Sequence, residues 1–104
     1  MSPTFDRADS FKRDYKGLEP EEREQVGESL QHFIEDLTGI EDGRLNDFRA
    51  SLRVKPMQGN PGIWEMTWER GDGRATFKWG TPVLPEKRHV DWRRIGDHGI
   101  FTDP

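Results

Sequence analysis

The chain has 104 residues, of which 35% are charged and 31% hydrophobic, and its formal net charge at pH 7 is −4. Because domains typically contain about 100–150 residues, we expect residues 1–104 to form a single domain. The sequence has no cysteine, which excludes disulfides, a thiolate nucleophile and cysteine-ligated zinc. No apolar run has the length of a signal peptide or of a membrane helix of about 20 residues, so we expect a cytoplasmic protein without membrane contact.

The charge is divided unevenly between the two halves of the chain. Residues 1–48 contain six Lys/Arg and 13 Asp/Glu, whereas residues 49–104 contain ten and seven. The net charge is therefore −7 in the first half and +3 in the second. A negative total argues against a polyanionic partner, but a basic second half still permits one.

The first third of the chain predicts two helices. Apolar residues recur at helical spacing over residues 8–18, and Asp9 or Ser10 can serve as the N-cap. A second helix is predicted from Pro20, with acidic residues in its first turn and an apolar stripe that ends near Gly39. Together these segments predict a helical hairpin with an acidic outer face.

Beyond residue 43 the apolar period changes to two, which is typical of strands. Residues 48–55 are predicted to be strand-like or at least extended, and the proline- and glycine-rich residues 56–62 to form a loop. Further strands are predicted over residues 63–70, 74–79 and 88–95, with a tight hairpin at residues 71–73.

This order of elements predicts an α+β fold in which the helical hairpin packs on one face of a small, mainly antiparallel sheet. The four tryptophans lie on the apolar alternation and are assigned to the core rather than to base stacking. The other face is expected in water. On it we expect the polar residues Glu65, Arg74, Thr76, Lys78, His89, Asp91 and Arg93, with Arg53 and Lys55 nearby.

A surface with guanidinium, ammonium and imidazole groups suits the binding and cleavage of a phosphodiester. A ribose 2′-hydroxyl can act as the nucleophile, so the protein must supply only a general base and a general acid. The plainer interpretation is that charged residues on an exposed strand face merely pair across strands. His89 and His98 lack a metal-ligand spacing, and neither a metal nor another cofactor is expected.

The sequences of four segments also resemble those of a known protein family. These segments are Leu52–Gly59, Gly62–Trp68, Asp72–Phe77 and His89–Ile95. With the preceding helical hairpin, this series resembles the RelE/ParE toxin superfamily over nearly the whole chain. It is most similar to the HigB and phage-derived branches, in which a Pro-apolar-x-Gly loop precedes a Gly-apolar-Trp-Glu strand and a hairpin strand bears an arginine.

The resemblance implies a RelE-like fold and the toxin of a type II toxin–antitoxin system. Such a toxin is neutralised by a cognate antitoxin protein and cleaves mRNA on the ribosome without a metal. By position, Arg74 would stabilise the transition state, and Lys55 stands where relatives carry a catalytic residue. His98 would donate a proton or stack on a base. Glu65 would act as a general base or merely form a cross-strand ion pair. His89 is a further candidate for acid–base catalysis. The expected RNA-binding residues are Arg53, Lys78, Arg93 and Arg94.

Two alternatives remain open at this point. The first is a ParE-like inhibitor of DNA gyrase, which shares the fold but binds a protein and cuts no RNA. The second is a non-catalytic RelE-fold binding protein, which the acidic net charge favours.

Overall fold

Within residues 3–69, 72–84 and 87–104, which the computed structural model describes, the chain forms five strands, two α-helices and two short 3₁₀ segments. The strands are β1 (Thr4–Arg7), β2 (Lys55–Pro56), β3 (Trp64–Glu69), β4 (Gly73–Gly80) and β5 (His89–Gly96). The helices are α1 (Asp9–Lys16) and α2 (Pro20–Glu41), and the 3₁₀ segments are Ala50–Leu52 and His98–Thr102. None of the described helices is long and apolar enough to cross a bilayer.

The strands form one sheet in the order β1-β5-β4-β3-β2. Strand β1 pairs with β5 in parallel, and the other three pairs are antiparallel. The predicted α+β architecture and its mainly antiparallel sheet are therefore confirmed. The N-terminal segment, expected only to be extended, is a parallel edge strand, a pairing that local periodicity cannot reveal.

The core lies between α2 and the sheet and is built largely of aromatic rings. The ring of Phe33 lies 5.2 Å from that of Phe77 and 5.0 Å from that of Trp92, with both pairs edge to face. Phe11 of α1 packs 6.0 Å from Trp92. Trp68 and Trp92 are buried, as predicted. Burial of several large rings explains how a chain with few apolar residues forms a core.

Helix α2 extends beyond its predicted end at Gly39. The helix continues to Glu41, and Gly43, with φ of +77°, ends it in the left-handed region. A Cβ on Gly39 would lie only 2.7 Å from Leu45 Cδ1. This glycine therefore allows the returning chain to approach the helix and is not a terminator, a distinction that the local sequence does not make.

Helix α1 begins at Asp9, and Ala8 is its N-cap residue. The prediction that Asp9 or Ser10 is the N-cap is therefore wrong. Ser10 instead donates its hydroxyl to the Arg93 carbonyl at 2.6 Å, and an Asp14 oxygen accepts the Ile95 N–H at 3.0 Å. Polar side chains of α1 thus satisfy backbone groups along the edge of β5 beyond the point where β1 ends.

Most of the predicted strand over residues 48–55 is wrong. The segment contains the 3₁₀ turn Ala50–Leu52 and then Arg53 with φ of +48°, and only Lys55 belongs to β2. Phe48 stacks 4.8 Å from Phe33, while the next residue, Arg49, forms hydrogen bonds to Asp36. Because two consecutive side chains both contact α2, the alternation of a strand is lost.

The second face of the sheet is only partly in water, whereas the prediction placed all of it in solvent. Five of its polar residues are buried, and they are Glu65, Thr67, Arg74, Thr76 and His89. The 3₁₀ segment His98–Thr102 folds back against β4 and β5 and buries Ile100. The sequence does not reveal this cover because a short, glycine-containing segment has no periodicity.

A bulge in β5 changes the predicted alternation of its two arginines. Thr76 pairs with Arg94 and Phe77 with Trp92, so Arg93 has no partner in the register of β4. Arg94 therefore shares a row with Thr76, Glu65 and Lys55, whereas alternation alone placed it with Trp92. The antiparallel pairing of β3 with β4 is confirmed. Residues 70 and 71, at the predicted hairpin, lie outside the described residues.

Candidate active site at one end of the sheet

An open cleft lies on the second face of the sheet, between β2, β3, β4 and the C-terminal 3₁₀ segment. Its volume is about 620 Å³. The residues that line it are Lys55, Pro56, Met57, Gln58, Glu65, Arg74 and Phe101. Three of the five predicted catalytic residues, Arg74, Lys55 and Glu65, therefore meet at one cleft.

Lys55 and Glu65 are positioned by the pairing of β2 with β3, where they are direct cross-strand partners. Lys55 Nζ lies 3.9 Å from Glu65 Oε1. The lysine side chain is 61% exposed and the glutamate side chain only 11% exposed. The carboxylate is thus held at the bottom of the cleft, while the ammonium group can move in solvent at its rim.

Arg74 is held on the adjacent strand, opposite Thr67 on one side and Gly96 on the other. The indole N–H of Trp68 donates to the Arg74 carbonyl at 2.9 Å, and Arg74 Nη1 donates to the Gly73 carbonyl at 3.0 Å. Arg74 is 9% exposed, although the alternation predicted an exposed side chain. It forms part of the cleft wall and is not on an open surface.

The cleft combines two cations, one carboxylate and one aromatic ring. A guanidinium in a mostly buried position exerts a stronger field on an anion than one in water does, because the local dielectric constant is lower. A carboxylate near it can accept a proton, and an aromatic ring can stack on a base. This set of groups can bind an RNA phosphate and assist attack on it.

Arg93 and Arg94, predicted to bind RNA, form hydrogen bonds within the chain. Arg94 Nε donates to Asp14 at 2.7 Å, and this bond raises the pKa of Arg94 above its ordinary value. Arg94 Nη1 also donates to the Asp103 carbonyl at 3.0 Å, while Arg93 Nε donates to the Pro104 carbonyl at 3.1 Å. Both guanidinium groups hold the C-terminal segment on the sheet.

The remaining predicted residues lie outside the cleft or are not described. His89 pairs with Gly80, six residues along β4 from Arg74, which places the two about 20 Å apart. Lys78 is exposed and is the cross-strand partner of Asp91, and Arg53 is exposed two residues before β2. The side chain of His98 lies outside the described part of the structure.

Sequence reasoning did not assign a role to four residues that line the cleft, Pro56, Met57, Gln58 and Phe101. Met57 and Gln58 belong to the loop segment that carries the resemblance, so their position beside Lys55 was a usable signal. Phe101 lies 27 residues after Arg74, in a segment without periodicity. Only the folding of the C-terminal segment brings it to the cleft.

Two solved structures are similar to this chain over almost its whole length. One is E. coli YafQ in its complex with DinJ, with a TM-score of 0.58, 19% identity, and coverage of 93% of this chain and 94% of that one. The other is a mutant of the E. coli toxin RelE in the free state, with a TM-score of 0.56, 17% identity, and coverage of 99% and 94%. No protein-family model and no curated relative matches by sequence. The RelE-like fold predicted from the resemblance is confirmed.

Proposed function

We propose that this RelE-fold chain is the toxin of a type II toxin–antitoxin system and cleaves mRNA in the cleft that contains Arg74. The observation that carries the proposal is the meeting of Arg74, Lys55 and Glu65 at one cleft, with Lys55 paired to Glu65 and Arg74 paired to Thr67, two residues along β3. The fold shared with a protein named as a toxin supports the same role. As such a toxin, it would act in the cytoplasm and on the ribosome.

The proposed reaction needs no nucleophile from the protein. The 2′-oxygen of the RNA attacks the adjacent phosphorus, the bond to the 5′-oxygen breaks, and the products are a 2′,3′-cyclic phosphate and a 5′-hydroxyl. Glu65 accepts the proton of the 2′-hydroxyl, and Arg74 stabilises the negative charge of the phosphorane. Lys55 binds the phosphate at the rim, and His98 is proposed as the proton donor to the leaving oxygen.

Growth arrest and mRNA cleavage on induced expression test the proposal. We expect Arg74→Ala to lower the cleavage rate by about 10²–10³-fold, the usual cost of losing one group that stabilises transition-state charge. Arg44→Ala is the matched control, because Arg44 is 65% exposed and forms an ion pair with Asp42, outside the cleft. This control should cleave at the parental rate, and circular dichroism should show that both variants fold.

Three results would contradict the proposal. If Arg74→Ala arrests growth as the parent does, the cleft is not an active site, and a non-catalytic binding protein is favoured. If transcripts remain intact while DNA damage accumulates, the chain inhibits gyrase instead. If free RNA is cut as fast as ribosome-bound mRNA, the ribosome has no part in the reaction.

The proposed protein partner is a cognate antitoxin. Its gene is expected beside that of the toxin, and its co-expression should restore growth. Failure of every adjacent reading frame to restore growth would contradict this part of the proposal.

A further inference from the structure

At the end of the sheet remote from Arg74, two carboxylates converge on one buried imidazole. His89 Nε2 lies 3.1 Å from Asp6 Oδ2 and 3.1 Å from Asp91 Oδ1. Asp6 comes from β1, whereas His89 and Asp91 come from β5, where they are two residues apart and point to the same face. The catalytic proposal uses none of these contacts.

Two carboxylate oxygens meet one imidazole nitrogen at a common point. A neutral imidazole can carry its proton on Nε2 and donate to the carboxylates, or carry it on Nδ1 and present a lone pair at Nε2. In the second tautomer all three atoms are acceptors, and a divalent cation between them would offset their mutual repulsion. Either a ring proton or a metal ion can therefore occupy the space that the three atoms face.

The distances among the three atoms fit a metal ion. They all lie within 4.8 Å of one another. Ligands at the usual bond lengths of about 2.0–2.2 Å are separated by about 2.9–3.5 Å when they occupy neighbouring positions around one ion. The observed separation of 3.1 Å from His89 Nε2 to each carboxylate oxygen falls in this range.

The surroundings of His89 are those of a metal ligand and differ from those of an exposed acidic cluster. The His89 side chain is only 7% exposed. Its other ring nitrogen, Nδ1, lies 2.7 Å from the Thr4 hydroxyl, and a partner on that atom leaves Nε2 to face the two carboxylates. A Cβ on Gly80 would collide with Asp91 Oδ2 and lie 2.7 Å from His89 Cδ2, so a glycine is needed where β4 passes the cluster.

We propose that Asp6, His89 and Asp91 bind one divalent first-row transition ion, of the class of Zn²⁺ or Mn²⁺, and that this ion fastens β1 to β5. One nitrogen and two oxygen ligands suit these borderline ions better than the all-oxygen preference of Mg²⁺ and Ca²⁺. Asp6 is 80% exposed, so water can complete the coordination shell. Sequence spacing does not reveal this cluster, because Asp6 is 83 residues from His89 and only the parallel pairing of β1 with β5 brings them together.

Calorimetric titration of the chelator-treated full chain with Zn²⁺ tests the proposal. We expect one ion per chain, with affinity lowered at least tenfold in Asp6→Asn and in His89→Gln, and no competition from millimolar Mg²⁺. The matched controls are Asp9→Asn and His32→Gln, which change the same residue types outside the cluster and should bind as the parent does.

A second measurement tests the role assigned to the ion. Zn²⁺ should slow hydrogen exchange of the amides in β1, and this slowing should be absent in Asp6→Asn. Absence of stoichiometric binding would overturn the proposal and leave an Nε2–H of His89 that donates to the two carboxylates as the explanation of the cluster. Equal loss of binding in His32→Gln would overturn it as well. Neither result bears on the cleft around Arg74, so the catalytic proposal stands or falls separately.

Discussion

The two faces of the sheet are covered to different extents and by different material. The face toward α2 is apolar, with Phe77 and Trp92 packed against Phe33. The other face buries polar side chains, among them Glu65 and Arg74, and a short 3₁₀ segment folds back against it. Apolar burial stabilises the fold, whereas polar burial costs free energy unless each group is paired. The comparison indicates that the apolar face supplies stability, whereas the polar face carries buried groups that must be paired.

The largest expected effect is on the apolar face. Phe77→Ala should lower the free energy of unfolding by about 3–5 kcal/mol, because it removes a fully buried ring and leaves a cavity. The control is Phe5→Ala, which removes a ring that is 49% exposed and should change stability by less than about 0.5 kcal/mol. Urea denaturation measures both. Similar losses for the two variants would contradict the assignment of stability to this face.

A buried charge at the edge of the apolar face provides the next test. Asp36 accepts hydrogen bonds from the backbone N–H, Nε and Nη2 of Arg49, and the side-chain bonds to Arg49 lower the pKa of Asp36 below its ordinary 3.8. Asp36→Asn should cost about 2 kcal/mol at pH 7, since hydrogen bonds to charged groups contribute about 1.5–3 kcal/mol.

The pH dependence of that cost follows from the direction of the pKa shift. A carboxylate with a lowered folded pKa contributes stability that is complete above the unfolded value and disappears as the pH falls through the folded value. The difference between the parent and Asp36→Asn should therefore be constant near pH 7 and shrink below about pH 4. Asp42→Asn, at an exposed ion pair with Arg44, should show little difference at either pH. If the difference in free energy of unfolding between the parent and Asp36→Asn does not change with pH, the stabilising role of the Asp36 charge is contradicted.

On the polar face, a substitution should increase stability. Thr76 is fully buried and its hydroxyl has no hydrogen-bond partner among the described residues. Thr76→Val keeps the shape and removes the unpaired group, so the free energy of unfolding should rise by about 1 kcal/mol. Thr81→Val, at an exposed threonine, should have no such effect. Loss of stability in Thr76→Val would mean that the Thr76 hydroxyl forms a hydrogen bond in solution. Burial of polar groups on this face would then cost less free energy than we infer.

The smallest expected effect concerns Arg53, which has φ of +48° at the approach to the cleft. Arg53→Gly should be stabilising by a few tenths of a kcal/mol, because relief of about 1 kcal/mol of backbone strain is largely offset by the greater freedom of glycine in the unfolded chain. Arg53→Ala keeps the strain and should gain nothing. If both variants also lose RNA cleavage, the predicted RNA-binding role of Arg53 is supported, and unchanged cleavage would contradict it.

Sequence reasoning was most accurate where physical constraints are local. The spacing of apolar residues predicted both helices, and alternation predicted the β3 and β4 strands and the burial of Trp68 and Trp92. Each side chain in these elements points to one side of a regular backbone, so periodicity alone reveals the buried side. The same alternation placed Glu65 and Arg74 on one face, and the resemblance added Lys55. The meeting of these three residues at one cleft could therefore be anticipated.

Features that depend on contacts between distant segments could not be read from the sequence. A bulge moved Arg94 into the row of Thr76. Gly39 lies inside helix α2, where its missing side chain leaves room for Leu45. The burial of Arg74 depends on a C-terminal segment whose residues show no pattern of their own.

The sequence by itself determined the helices, the antiparallel hairpin and the face on which the catalytic candidates lie, because these follow from the directions of neighbouring side chains. The tertiary structure alone decided what covers that face and which ionisable groups meet. It placed His89 with Asp6 and Asp91 at one end of the sheet and Arg74 with Glu65 and Lys55 at the other. The physical reason is that strand register and chain return set distances between residues far apart in sequence, and no local preference encodes them.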